Sequence, residues 1–282
     1  MSSRDRANSV LVIVPTYNEI DNIGPVTRRI LAASTDYDIL IVDDNSPDGT
    51  GRLADELASA SPRVSVLHRP GKSGLGAAYR DGFGWGLRAG YDFLVEMDAE
   101  GSHPPEQLPA LIAGARHADV VIGSRSVPGG SPPNRALHRA VLSRAARLYV
   151  RAALALPFKD STSGYRVVRA SALRAVDYRS VQARGYCFQI EMLWRARRAE
   201  LTILELPIDF TQRMSGSSKM SMGILVEALA RVTLWGIGDL RSRVRRARAL
   251  KTAITLLANG SASDSPQVHG GLAPAHAVDG RD

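Results

Sequence analysis

The sequence predicts an α/β fold built on a mostly parallel, doubly wound sheet with flanking helices. Two observations predict it. From Val10 to Gly123, short runs rich in Val and Ile alternate with segments whose apolar residues recur at helical spacing, the pattern of strands and helices that builds a parallel sheet. The runs also end asymmetrically, several of them stopping abruptly in polar, mostly acidic loops. In an open parallel sheet, ligands bind in the crevice beyond the carboxyl ends of the strands.

The elements follow in order. Residues 10–14 form a buried-type strand, and Pro15-Thr16-Tyr17-Asn18-Glu19 leads from it into a helix carrying Ile23, Val26, Ile30 and Leu31. A second strand over 39–42 ends in Asp43-Asp44-Asn45-Ser46-Pro47-Asp48-Gly49-Thr50, which opens a helix around 53–57. A third strand over 64–67 precedes a helix over 75–89, on which Gly82, Gly86 and Gly90 are expected to permit close packing. The fourth strand, 93–97, stops at Asp98-Ala99-Glu100-Gly101-Ser102-His103. Pro104 and Pro105 suit the first turn of a further helix, and a fifth strand covers 120–123.

After residue 125 the alternation breaks down. A loop over 129–134 leads to a basic helix over 135–154, with Arg144, Arg147 and Arg151 on one stripe. A polar turn is expected over 160–166, a helix over 188–199 and a strand over 202–210. The loop from Gln212 to Lys219 is cationic and Gly/Ser-rich, a composition that can close over phosphates through charge-assisted hydrogen bonds. Residues 224–237 are nearly all apolar apart from Glu227 and Arg231, and can either pack on the main domain or lie at a membrane interface. Arg241, Arg243, Arg245, Arg246, Arg248 and Lys251 follow at once, a cluster suited to anionic lipid headgroups. It lacks interleaved aromatics and any nucleic-acid module, so no nucleic-acid partner is expected. From about Asn259 the Gly, Ser, Ala and Pro content reads as a disordered tail. The expected organisation is a main domain over 8–221, an apolar then basic helical segment over 222–251, and the tail over 259–282.

Composition narrows the classes. With 282 residues and 44% hydrophobic content the chain can bury a sizeable core. The single cysteine, Cys187, excludes an internal disulfide, and the opening Met1-Ser2-Ser3-Arg4 carries no signal-peptide pattern, so a reducing, cytoplasmic compartment is expected. No stretch reaches the roughly 20 uninterrupted apolar residues of a membrane span. No G-x-G-x-x-G follows the first strand, and Gly74-Leu75-Gly76 has Tyr79 where the last glycine would stand. Gly71-Lys72-Ser73 looks like the end of a P-loop, but the required earlier glycine is Val66. A dinucleotide-binding dehydrogenase and a P-loop kinase are thereby disfavoured. Asp98 and Glu100, one residue apart at a strand end, can share a hard cation such as Mg²⁺ or Mn²⁺, completed by other oxygen ligands and substrate phosphates.

Taken in order, the motifs resemble those of the polyprenol-phosphate (dolichol-phosphate) mannosyltransferases, GT-A glycosyltransferases of family 2. The motifs are Pro15-Thr16-Tyr17-Asn18-Glu19, Val42 to Thr50, Gly74-Leu75-Gly76-Ala77-Ala78-Tyr79 and Asp98-Ala99-Glu100. Gly123-Ser124-Arg125, Ser163-Gly164-Tyr165-Arg166, Gly185-Tyr186-Cys187-Phe188-Gln189 and Ser218-Lys219-Met220 complete the set. The resemblance implies a GT-A fold and a nucleotide pocket formed by Pro15, Tyr17, Glu19, Val42 and Asp44. It implies a metal and diphosphate site at Asp98, Ala99 and Glu100, with Ser102 a further ligand. Arg213 and Lys219 match a loop that grips the donor diphosphate, and Arg125, Arg139 and Ser143 match the acceptor-phosphate site. The implied catalytic set is Asp98, Glu100 and Arg213. Three departures stand out: Glu100 replaces the usual Asp, no tryptophan follows Asn134, and no membrane-spanning segment follows the catalytic domain.

The implied reaction is metal-dependent transfer of mannose from GDP-mannose to polyprenyl monophosphate, with inversion to a β-mannosyl phosphate. Mg²⁺ or Mn²⁺ is the implied cofactor. An anionic membrane surface, reached peripherally from its cytoplasmic face, is the implied place of work, with a membrane-anchoring protein as a possible partner. The alternatives are another donor, such as UDP-glucose or UDP-N-acetylglucosamine, or a non-catalytic protein that binds sugar nucleotides or lipid.

Overall fold

The computed structural model describes residues 8–131, 137–183, 185–210 and 227–241, together with positions 245, 248 and 252. The chain divides into a unit of residues 1–236 and a second of residues 237–282.

In the first unit, Val-, Ile- and Leu-rich runs form strands β1 (Val10–Thr16), β2 (Tyr37–Asp43), β3 (Val64–His68), β4 (Phe93–Glu96) and β5 (Val120–Ser124). Helices α1 (Ile20–Ala33), α2 (Thr50–Ala60), α3 (Leu75–Arg88) and α4 (Leu108–Ala115) connect them. Every residue of β2 is buried, as expected for a strand covered on both faces. Beyond β5 come α5 (Leu137–Leu154), β6 (Arg166–Arg169), α6 (Ala170–Ala175), α7 (Tyr186–Arg198) and β7 (Ile203–Pro207).

The seven strands are ordered β3-β2-β1-β4-β6-β5-β7. All neighbours are parallel except β6, which runs antiparallel to both β4 and β5. The sequence leads outward from β1 to β3 and then returns to β4 on the other side of β1. The β1 and β4 loops therefore meet at the topological switch point, where open α/β sheets bind ligands.

Two expectations are corrected. The polar turn expected over 160–166 ends at Tyr165, because Arg166 opens β6 and is itself buried. The last strand is shorter than 202–210, covering Ile203–Pro207, with Asp209 making an isolated bridge to Ser131.

The sheet separates two apolar cores. Val12, Val14, Ile39, Ile41 and Val95 face one side with residues of α1 and α4. Leu11, Ile13, Leu40, Val42 and Leu94 face the other with residues of α3, α6 and α7. Here the glycine spacing on α3 has its use: a Cβ at Gly82 would sit 2.6 Å from Ile13 Cγ2, and one at Gly86 would sit 2.6 Å from Leu94 Cδ2. Gly90 does something else, having a positive φ just past the helix end.

Residues 227–236 are helical and pack on the main unit. Val232 is buried, Trp235 stacks on Trp194 with centroids 5.2 Å apart, and the Thr233 and Tyr149 hydroxyls share a 2.6 Å hydrogen bond. In the second unit, residues 237–241 are helical, and Arg241, Arg245 and Arg248 are exposed. Among the described residues no helix is long and apolar enough to cross a membrane.

Candidate active site

The site lies beyond the carboxyl ends of β1, β2, β4 and β5. On the β1–β2 side, short polar side chains fix the loops. The Thr16 hydroxyl donates to Asp43 Oδ1 at 2.9 Å, and Ser46 donates to Asp43 through its amide (3.0 Å) and hydroxyl (2.6 Å). Asp48 accepts from the Thr50 amide (3.0 Å), the Thr50 hydroxyl (2.6 Å) and the Ile20 amide (3.2 Å). One carboxylate thus serves the N-termini of α1 and α2, where backbone amides lack helical partners. Burial raises the Asp48 pKa, but these donors outweigh it and the carboxyl lies below its ordinary value.

The residues expected to hold a nucleotide gather here. The Glu19 amide donates to Thr50 Oγ1 at 2.9 Å, and its buried carboxylate accepts from Asn22 at 2.8 Å. The Tyr17 ring lies 4.0 Å from Lys72 Nζ. Pro15 pairs in register with Val42, which places both at neighbouring strand ends. Asp44 is buried, donates its amide to Thr16 O at 3.0 Å, and is ion-paired with Arg69, which also reaches Asp81 at 2.7 Å. Burial raises the Asp44 carboxyl above its ordinary value, against the pull of Arg69.

The β4 loop brings Asp98, Ala99, Glu100 and Ser102 together. Its geometry depends on His103, which the sequence reading did not single out as a site residue. The Asp98 amide donates to His103 Nδ1 at 3.2 Å, so the ring proton belongs on Nε2. Burial pushes the imidazole down to about 3, with the Arg125 charge adding to the effect. The ring is therefore neutral, and its 3.4 Å approach to Asp98 Oδ1 is not an ion pair. It stacks on Tyr165 with centroids 4.9 Å apart, and the Tyr165 hydroxyl donates to Pro104 O at 3.0 Å.

The donor set suits a hard cation. Asp98, Glu100 and Ser102 offer oxygen atoms, and the Ser102 hydroxyl is fully buried with no protein hydrogen-bond partner. Among the described residues no cluster of three His, Cys, Asp or Glu side chains forms a complete cage. Such an incomplete set fits an ion whose shell is finished by water and substrate phosphates.

Behind this loop lies a buried network that the sequence reading missed. Glu96 stands opposite Arg166 in the β4–β6 register, both fully buried. Arg166 donates to Ser163 O (2.8 Å), Ser161 O (2.9 Å) and Gln189 O (2.8 Å), while Gln189 Nε2 donates to Glu96. Burial raises the Glu96 carboxyl to about 7. A Cβ on Gly164 would approach His103 Cε1 to 3.6 Å and Gln189 Nε2 to 3.8 Å. Two motifs far apart in the sequence, Ser163 to Arg166 and Gly185 to Gln189, are thus fastened to β4, the strand that leads to Asp98. The available signal was an acid ending an apolar run.

At the end of β5, Arg125 forms a bidentate ion pair with buried Asp160, at 2.7 Å through Nε and 2.8 Å through Nη2. On α5, Ser143 accepts a 2.8 Å hydrogen bond from Arg147. Arg139 lies within α5, but its side chain is outside the description. Arg213 and Lys219 also lie outside the described residues.

The family model for glycosyl transferase family 2 matches residues 11–177. The chain is 52% identical to an undecaprenyl-phosphate mannosyltransferase of Micrococcus luteus over 81% of this chain and 94% of that one. It is 51% identical to a polyprenol monophosphomannose synthase of Mycolicibacterium smegmatis, covering 85% of this chain and 90% of that one. A dolichol-phosphate mannosyltransferase of Pyrococcus furiosus is 35% identical, over 79% of this chain and 62% of that one. Among solved structures, glucosyl-3-phosphoglycerate synthase from Mycobacterium tuberculosis, in complex with Mn²⁺ and UDP-glucose, superposes with a TM-score of 0.57. That match has 19% identity and covers 80% of this chain and 78% of the other. The fold is of the GT-A type.

Proposed function

The chain belongs to glycosyl transferase family 2, and we propose that it transfers a mannosyl group from GDP-mannose to a polyprenyl monophosphate, inverting the anomeric carbon. The observation that carries this reading is the division of the cleft. Carboxylate-lined loops at β1, β2 and β4 suit a nucleotide diphosphate with its metal, and the end of β5 carries the Arg125 guanidinium, held by Asp160, as a cation suited to the acceptor phosphate. Mannosyltransferase relatives at about half identity over most of the chain support the sugar and the lipid.

The chemistry follows from charge. A phosphate monoester is already anionic near neutral pH, so the acceptor needs no strong general base. The protein has to align two anionic substrates and offset their repulsion, and alignment alone can supply several powers of ten in rate. Asp98 and Glu100, with Ser102, would hold Mg²⁺ or Mn²⁺, which supplies Lewis-acid stabilisation of a departing diphosphate. His103 keeps the Asp98 backbone in place. By resemblance, Arg213 and Lys219 add positive charge at the diphosphate, while Arg125, Arg139 and Ser143 receive the acceptor phosphate. Pro15, Tyr17, Glu19, Val42 and Asp44 hold the base and ribose.

The acceptor is a membrane lipid, and the protein is read as a peripheral visitor to the cytoplasmic face. On α5, Val141 is 60% and Leu148 54% exposed, and Leu234 on the adjoining helical segment is 67% exposed. Apolar side chains beside basic ones suit an interfacial position.

The test is incubation with polyprenyl phosphate and a panel of radiolabelled sugar nucleotides, with and without EDTA. Label should enter the lipid from GDP-mannose, not from UDP-glucose or UDP-N-acetylglucosamine, and chelation should stop it until Mg²⁺ or Mn²⁺ is restored. Transfer from a uridine donor alone, or full activity in excess EDTA, would overturn the donor or the metal assignment.

A further inference from the structure

Asp160 is a buried acid to which the preceding reading gives no role. Its carboxylate takes three donors from one residue: the Arg125 amide at 3.1 Å, Nε at 2.7 Å and Nη2 at 2.8 Å. Thr162 Oγ1 bridges the pair, accepting from Arg125 Nη2 at 3.3 Å and donating to Asp160 Oδ1 at 3.2 Å. The Phe210 ring covers the guanidinium at 5.0 Å. Asp160 is itself held from the sheet, since Glu205 on β7 accepts the Asp160 amide at 2.9 Å and the Lys159 amide at 2.8 Å. The charge of Arg147, which bonds Ser143 on α5, also acts on Asp160.

We propose that Asp160, seated by Glu205, is a positioning residue for the acceptor phosphate, acting through Arg125 by fixing the plane of its guanidinium. This rests on the reading of Arg125 as an acceptor-phosphate residue. An unrestrained arginine can turn to follow a bound anion, giving binding without alignment. A bidentate carboxylate fixes the guanidinium plane, so the phosphate is met in one orientation. The pairing also cancels the Arg125 charge. Asp160 therefore sacrifices acceptor attraction for geometry, and its loss should lower kcat while leaving the acceptor KM unchanged or slightly lower.

The experiment compares Asp160→Asn, Glu205→Gln, Arg125→Ala and the Arg125→Ala/Asp160→Asn double variant. For each, kcat, the acceptor KM, GDP affinity and the thermal midpoint are measured. Asp160→Asn should lower kcat about tenfold, the scale of one charge-assisted hydrogen bond, with acceptor KM and GDP affinity each within about twofold of the parent. Glu205→Gln keeps one carbonyl acceptor for the loop and should move kcat in the same direction by less. In the double variant, Asp160→Asn should cost no further activity and should raise the thermal midpoint above that of Arg125→Ala, because it removes an unpaired buried carboxylate.

The inference is overturned if Asp160→Asn and Glu205→Gln both leave kcat unchanged. It is equally overturned if Asp160→Asn costs as much activity with Arg125 absent as with it present. If Arg125→Ala changes neither kcat nor acceptor KM, it is the acceptor reading of Arg125 that fails. Should Asp160→Asn not fold, Glu205→Gln alone decides the matter.

Discussion

The two sides of the cleft hold their acids by different means. Around β1 and β2, Asp43 and Asp48 accept from neutral amides and hydroxyls on nearby loops. Around β4 and β5, Glu96 and Asp160 are set against the arginines Arg166 and Arg125. Neutral donors place a carboxylate without cancelling its charge, whereas an arginine cancels the charge and fixes a plane. Asp44, paired with Arg69, is the exception on the first side. The lesson is a division of labour: local polar contacts shape the loops of the proposed nucleotide cradle, and long-range contacts of Arg166 and Arg125 tie together the loops and strands on the other side.

The largest expected effect that would break this comparison comes from Arg166. Arg166→Ala orphans three buried backbone carbonyls, a change that costs about 3 kcal/mol or more at roughly 1–3 kcal/mol for each unsatisfied acceptor. Urea denaturation should show it; a loss below about 1 kcal/mol, the scale of a surface pair, would mean the network is not what holds β6. A smaller effect is expected on the other side. Asp48→Ala removes the acceptor for two helix starts and should cost about 1–2 kcal/mol, with GDP binding retained. An effect as large as that of Arg166→Ala would erase the contrast.

The smallest effect is the pH dependence of the Arg125–Asp160 pair. Burial raises the Asp160 carboxyl, but the hydrogen bonds and charge of Arg125 outweigh it and hold it below the ordinary 3.8. A depressed folded value means the stabilisation is fully present above pH 3.8 and is lost as pH falls through the lower folded value. Asp160→Asn should therefore flatten the acid limb of stability below that pH while lowering stability near neutrality. An unchanged acid limb would show that the pair contributes no linkage.

What the sequence made legible follows this same line. Strands β1 to β5 and helices α1 to α4 were readable because each is a local apolar pattern. The polar loops after β1 and β2 were readable too, since they follow consecutive strands in the sequence and their hydrogen-bond partners are mutual. β6 was not readable: Arg-Val-Val-Arg is four residues long, opens on a buried charge, and makes sense only with Ser161, Ser163 and Gln189 as acceptors. The segment over 224–237 left two readings open, and its described part packs on the main unit through Val232 and Trp235 while leaving Leu229 and Leu234 exposed. His103 stood beside the acid pair in the sequence, yet its role as a neutral acceptor required Tyr165 to stack on it. Likewise Arg125 was legible as a cation, but Asp160, which cancels it, was hidden in what read as a polar turn.

The division of labour is tested most directly by GDP titration calorimetry with and without Mn²⁺ on the parent, Asp44→Asn and Asp98→Asn. Asp44→Asn should weaken GDP equally under both conditions if Asp44 holds the base and ribose as proposed. Asp98→Asn should leave metal-free affinity intact and abolish most of the gain that Mn²⁺ brings. Contradiction would come from the reverse pattern: an Mn²⁺-dependent gain that survives in Asp98→Asn, or one that disappears in Asp44→Asn.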